Sequence, residues 1–169
     1  MRSFDLEVSG SVDKNGRLDP THWFTFGDLG TRACWEYEVK GPDLSAATAG
    51  WPRAGLRIRA LKNTTLTSFV VNNVARGNTV YLTTPDGQTV YHLGVFSRGR
   101  AYTAMPNWQL VAGHSYDLIL EGGGQTGRMV RGLFPQSSPD LSIDGGVDQK
   151  HRLSRKYWFT FAQLTTASY

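Results

Sequence analysis

The sequence predicts an all-β protein: an antiparallel β-sandwich or barrel-like fold of about eight to eleven short strands, with a duplicated strand-turn-strand unit at its ends. Three observations predict it. Apolar and polar residues alternate with a period of two, turn residues punctuate the chain at short intervals, and an ungapped internal repeat joins its first and last segments.

The alternation is clearest at Ala33 to Lys40, where Ala33, Trp35, Tyr37 and Val39 interleave with Cys34, Glu36, Glu38 and Lys40. One face of such a strand meets a core and the other meets water. Leu56 and Ile58 alternate with Arg57 and Arg59, and Tyr116, Leu118 and Leu120 alternate with Asp117 and Glu121. Thr79 to Thr84 and Gln88 to Phe96 flank Pro85-Asp86-Gly87 and predict a hairpin whose glycine supplies a positive φ. The turn-rich stretch from Gly41 to Gly55, Gly122-Gly123-Gly124, and Pro135 to Pro139 mark irregular connections. No stretch has the pattern of a long, capped amphipathic helix.

Asp5 to Leu29 aligns with Asp140 to Leu164 without a gap. Asp5, Leu6, Gly10, Val12, Asp13, Arg17 and Leu18 match Asp140, Leu141, Gly145, Val147, Asp148, Arg152 and Leu153. Trp23-Phe24-Thr25-Phe26 matches Trp158-Phe159-Thr160-Phe161. The reading is a duplicated unit: a strand near 4 to 13, a turn at Lys14-Asn15-Gly16, and a strand near 22 to 29. The copies are too far apart for a solenoid of short period. They fit a pseudo-symmetric sheet, equivalent positions at opposite ends of a subunit, or a piece of a longer tandem array.

At 169 residues the expectation is one domain over 1–169. Nineteen glycines suit short strands joined by tight turns. Cys34 is the only cysteine, which excludes an intrachain disulfide, a paired-cysteine redox centre and a cysteine-rich zinc site. The first residues read as a strand rather than a signal peptide, and no apolar run is long enough to span a bilayer. The expected location is a virion or the cytoplasm of the producing cell. A net charge of +4 is modest and its arginines are scattered, so nucleic acid is disfavoured as a partner. Lys150, His151, Arg152, Arg155 and Lys156 form the one dense basic cluster, which reads as a solvated turn.

Signatures of phosphate loops, metalloprotease helices, nucleophile elbows and dinucleotide sites are absent from the sequence. His114, Ser115 and Asp117 are close in sequence, but alternation puts His114 and Ser115 on opposite faces. Asp13, Asn15 and Asp19 suggest an oxygen-rich ion loop, yet the second copy has Lys150 and Ser154 where the first has Asn15 and Asp19. An Asn-Gly turn accounts for the first copy. The expectation is a protein that is not an enzyme and has no cofactor and no metal.

Alternation places Trp23 opposite Phe24 and Phe26, and Trp158 opposite Phe159 and Phe161, so each block needs cover on both faces. Trp23, Phe24, Phe26, Trp158, Phe159, Phe161, Arg152 and Arg155 are therefore the candidate contacts with other protein subunits. The functional expectation is a structural or adaptor protein of a larger particle, such as a bacteriophage head decoration or tail component. The alternative is a carbohydrate-binding module, with Trp51, Trp108, Asn107 and Gln109 facing a glycan.

Overall fold

A computed structural model describes residues 11–12, 18–19, 35–44, 48–49, 53–74, 77–94, 99–122 and 128–168. These residues are all-β, with no helix among them. In chain order the strands are β1 (Ser11–Val12), β2 (Leu18–Asp19), β3 (Trp35–Lys40), β4 (Thr48–Ala49), β5 (Arg53–Ala60) and β6 (Thr64–Val74). There follow β7 (Thr79–Thr83), β8 (Thr89–Gly94), β9 (Gly99–Ala104), β10 (Trp108–Leu110), β11 (Ser115–Glu121) and β12 (Arg128–Arg131). The last are β13 (Gln136–Ser137), β14 (Leu141–Val147), β15 (Leu153–Ser154), β16 (Tyr157–Phe159) and β17 (Phe161–Ser168).

Two antiparallel sheets pack face to face as a sandwich rather than closing into a barrel. One has the order β13-β14-β5-β11-β7-β8, and the other the order β10-β6-β17-β3 with β9 also on β6. Leu56, Ile58, Val80, Leu82, Leu118 and Leu120 face Leu66, Phe69, Val71, Phe161 and Leu164 across one buried cluster. A small third sheet, β16-β12-β4, lies beside them, and β1 pairs with β2.

The hairpin read at Pro85-Asp86-Gly87 is β7-turn-β8, with Gly87 at φ 92° and Thr84 N–H donating to Gln88 O at 2.8 Å. The alternation in β5 holds, with Leu56 and Ile58 buried and Arg57 and Arg59 less so. It does not hold in β11, where Asp117 and Ile119 are as buried as Leu118. β11 is central, flanked by β5 and β7, and its outer face is covered as well. In β3 Val39 is buried, but Trp35 on the same side is 38% exposed at the strand's beginning. The apolar side of β6 changes parity between Leu66 and Phe69, because a bulge against β17 leaves Thr67 outside the register.

The second copy of the repeat is built into both main sheets. β14 runs antiparallel to β5 from Leu141 to Val147, and β17 fills the gap between β6 and β3. Asp140, fully buried, accepts hydrogen bonds from Thr64 Oγ1 at 3.3 Å and Ser168 Oγ at 3.1 Å. That carboxylate ties the start of the copy to the end of the chain. In the first copy, Ser11 pairs with Asp19 and Val12 with Leu18; in the second, Gly146 pairs with Ser154 and Val147 with Leu153. Under the sequence alignment these are corresponding pairs.

Candidate docking surface

The four-residue aromatic block departs from simple alternation because Thr160 has φ 61°. A β-branched residue rarely adopts that conformation, and here it divides the block into β16 and β17. Val130 of β12 stands opposite Trp158, and both lie on the core side. Trp158 is 0% exposed, stacks on Phe134 at 5.3 Å between ring centroids, and donates its Nε1–H to Phe161 O. Gly41 allows the ring this close: a Cβ there would stand 2.7 Å from the indole. Phe161 re-enters the same core beyond the kink and meets Phe69 edge-on at 5.7 Å.

The expectation that Trp158, Phe159 and Phe161 contact another subunit is thereby corrected. All three are buried within their own chain, Phe159 beneath the Gly146 backbone, and the kink at Thr160 turns Trp158 and Phe161 to one core. Trp23, Phe24, Phe26 and Trp51 lie outside the described residues.

The exposed side of the same segment has a different character. Arg131 stands opposite Tyr157 and Met129 opposite Phe159 across the β12-β16 pair. Beyond β12, Leu133 is 85% exposed, and Tyr157 and Leu153 are also solvent-facing. Two hollows flank Tyr157. One, of about 480 Å³, is lined by Arg131, Gly132, Leu133, Arg155, Lys156 and Tyr157. The other, of about 400 Å³, brings Arg152 and Leu153 together with Met129, Phe159 and Asp148. Arg155 thus lines one hollow and Arg152 the other, and Tyr157 lines both.

Arg152 is held in place. Its Nε donates to Asp148 Oδ2 at 2.7 Å, while the backbone N–H groups of Lys150 and Arg152 donate to Asp148 Oδ1 at 2.8 and 3.0 Å. Desolvation pushes the Asp148 carboxyl upward, but these hydrogen bonds outweigh it and hold the group below its ordinary value. His151, between them, has φ 59° and turns inward, its Nδ1 2.7 Å from Asp117 Oδ2. Arg57 donates to both oxygens of the same carboxylate, at 2.7 and 2.9 Å, and to His151 O at 3.0 Å. Asp117 raises the Arg57 pKa further, chiefly through this hydrogen bonding and against the opposing effect of burial. The basic turn is therefore clamped to the centre of the β14-β5-β11 sheet. Sequence reasoning missed this cluster, whose signal is the register partnership of Arg57 with Asp117 once β5 and β11 are paired.

The carbohydrate candidates are dispersed. Trp108 is 7% exposed and stacks on Tyr91 at 5.6 Å inside the sandwich, which corrects its reading as a sugar platform. Gln109 donates from Nε2 to Thr65 Oγ1 at 3.0 Å. Asn107, at φ 52°, lines a shallow hollow of about 750 Å³ with Glu36, Glu38, Met105, Gln163 and Thr165 on the outer face of the β6-β17-β3 sheet. His114 turns to Ala112 O at 3.3 Å, so it does not join Asp117.

No protein-family model matches the chain, and no curated protein matches it in sequence. Among the described residues, no group of three or more histidine, cysteine or acidic side chains converges as metal ligands, and no helix is long and apolar enough to cross a membrane.

Proposed function

We propose that this chain is a non-enzymatic structural or adaptor protein that assembles with other protein subunits into a larger particle, in the manner of a bacteriophage head decoration or tail component. The observation that supports the reading is the surface around Tyr157. There Leu133, Leu153 and Tyr157 stand exposed among Arg131, Arg152, Arg155 and Lys156, on strands fixed by the buried Trp158. An exposed apolar group ringed by cations on a rigid base suits an acidic protein surface, since apolar contact supplies affinity and charge supplies orientation. The glycan reading loses one of its two tryptophan platforms where Trp108 enters the core, while Trp51 lies outside the described residues.

The test is a photo-crosslinking amino acid placed at Leu133 in the producing cell, with the exposed Val90 of β8 as control. Discrete protein adducts at position 133 and not at 90 are expected. The absence of adducts above the control would overturn the docking role of this surface.

A further inference from the structure

The molecule carries a second surface of opposite sign. Glu36 and Glu38 lie on the face of β3 opposite the buried Val39, with Glu38 in register with Thr165 of β17. Together with Gln163, Asn107 and the 77% exposed Met105 they line the hollow on the outer sheet face. Glu38 meets Lys40 at 3.3 Å, but both groups are exposed, and such a surface pair contributes little. The hollow thus offers carboxylates, amides and hydroxyls with one adaptable thioether. That chemistry accepts guanidinium and ammonium groups accompanied by an apolar side chain.

The surface around Leu133 supplies those groups. Arg131, Arg155 and Lys156 lie beside Leu133 and Tyr157, and no residue is common to the two linings. We propose that copies of this chain join head to tail, the Leu133–Tyr157 surface of one copy seated in the Glu36–Glu38 hollow of the next. This rests on the docking role proposed above and names a second copy as its occupant. A symmetric contact of two Leu133 surfaces would bring cations against cations, whereas the head-to-tail contact pairs opposite charges. Because the joined surfaces differ, the contact repeats from copy to copy and generates a ring or a filament.

Two charge reversals test it by sedimentation velocity over a dilution series. The wild-type chain is expected to gain mass with concentration. Arg155→Glu with Lys156→Glu, and separately Glu36→Lys with Glu38→Lys, should each weaken association by about tenfold or more, the scale of a desolvated charge pair. Glu38, Arg155 and Lys156 are exposed and Glu36 is half-buried on the outer sheet face, so both variants should fold and melt close to the wild-type temperature. Mixing the two variants should restore association, since each reversed surface then meets its complement. A wild-type chain that stays monomeric, a mixture no better than its components, or an effect of only one reversal would overturn the proposal. If the probe at Leu133 captures a different protein while the chain stays monomeric, the docking role stands and the head-to-tail contact falls. If neither capture nor self-association occurs, both fall.

Discussion

The two copies of the repeat share the neck of their hairpin and differ in what would dock it. Ser11-Val12 pairs with Leu18-Asp19 in the register by which Gly146-Val147 pairs with Leu153-Ser154. The turn clip is also shared in sequence, Asp13 and Arg17 corresponding to Asp148 and Arg152. Other correspondences fail. Gly146, over which β16 packs, aligns with Ser11; His151, which reaches Asp117, aligns with Gly16; Tyr157, at the centre of the exposed surface, aligns with His22. The duplicated sequence thus repeats a backbone pairing without repeating the residues that attach the second copy. Attachment is a property of the surroundings, here β5, β11 and β12.

The largest test of that contrast is Trp158→Ala against Trp23→Ala. Trp158 is fully buried, and its loss should lower stability by about 3–5 kcal/mol through lost burial and the cavity left behind. The smaller effect is expected at Trp23, whose copy lacks the glycine and histidine that seat the second. Denaturant unfolding of both variants measures it, and equal losses would show that the two copies are anchored alike.

Next is Gly146→Ser, which gives the second copy the residue of the first. A Cβ at 146 would stand 2.2 Å from Tyr157 O and 2.5 Å from the Phe159 ring, so β16 must move. Such overpacking costs about 1–3 kcal/mol, and backbone in the way favours the upper end. A melting temperature equal to wild type would mean that β16 is free to shift and that the docking is loose.

His151→Gly makes the second turn resemble the first at its inward-facing position. It removes a hydrogen bond to the buried Asp117 carboxylate, an interaction worth about 1.5–3 kcal/mol. Glycine also relieves the left-handed backbone at φ 59°, returning about 1 kcal/mol. The net loss should be about 0.5–2 kcal/mol, accompanied by faster amide exchange in β15. No change in exchange would show that Arg57 alone holds the turn.

Much of the sandwich was legible because burial on one face leaves a period-two trace, as in β5 and the β7-β8 hairpin. The trace vanishes where a strand is covered on both sides. Asp117 read as a solvent-facing residue because nothing local announces that Arg57 and His151, remote in sequence, converge on it. The sidedness of Trp158 and Phe161 failed for a different reason. Alternation assumes an unbroken strand, and the positive φ at Thr160 breaks it without a glycine to signal the change. Of the candidate contacts, Arg152 and Arg155 stand in the dense basic cluster of the sequence, whereas Leu133 has no pattern around it. Its place in the proposed surface rests on exposure beside Tyr157, a tertiary fact.

The smallest expected effect concerns what the copies share, the aspartate-arginine clip of the turn. Asp148 is held below its ordinary pKa by Arg152 and by two backbone N–H groups. A group whose folded pKa is depressed contributes stability above its unfolded value, about 4, and that contribution fades as pH falls through the lower folded value. The acid limb of the stability curve should therefore contain a component from Asp148, and Asp148→Asn should remove it. Because Arg152 is largely exposed, the loss near neutral pH should stay below about 1 kcal/mol and shrink with added salt. Asp13→Asn supplies the comparison. If both substitutions flatten the acid limb by similar amounts, the clip functions in both copies. If only Asp148→Asn does, the shared residues depend on the inward anchor at His151, which the first copy has replaced by Gly16.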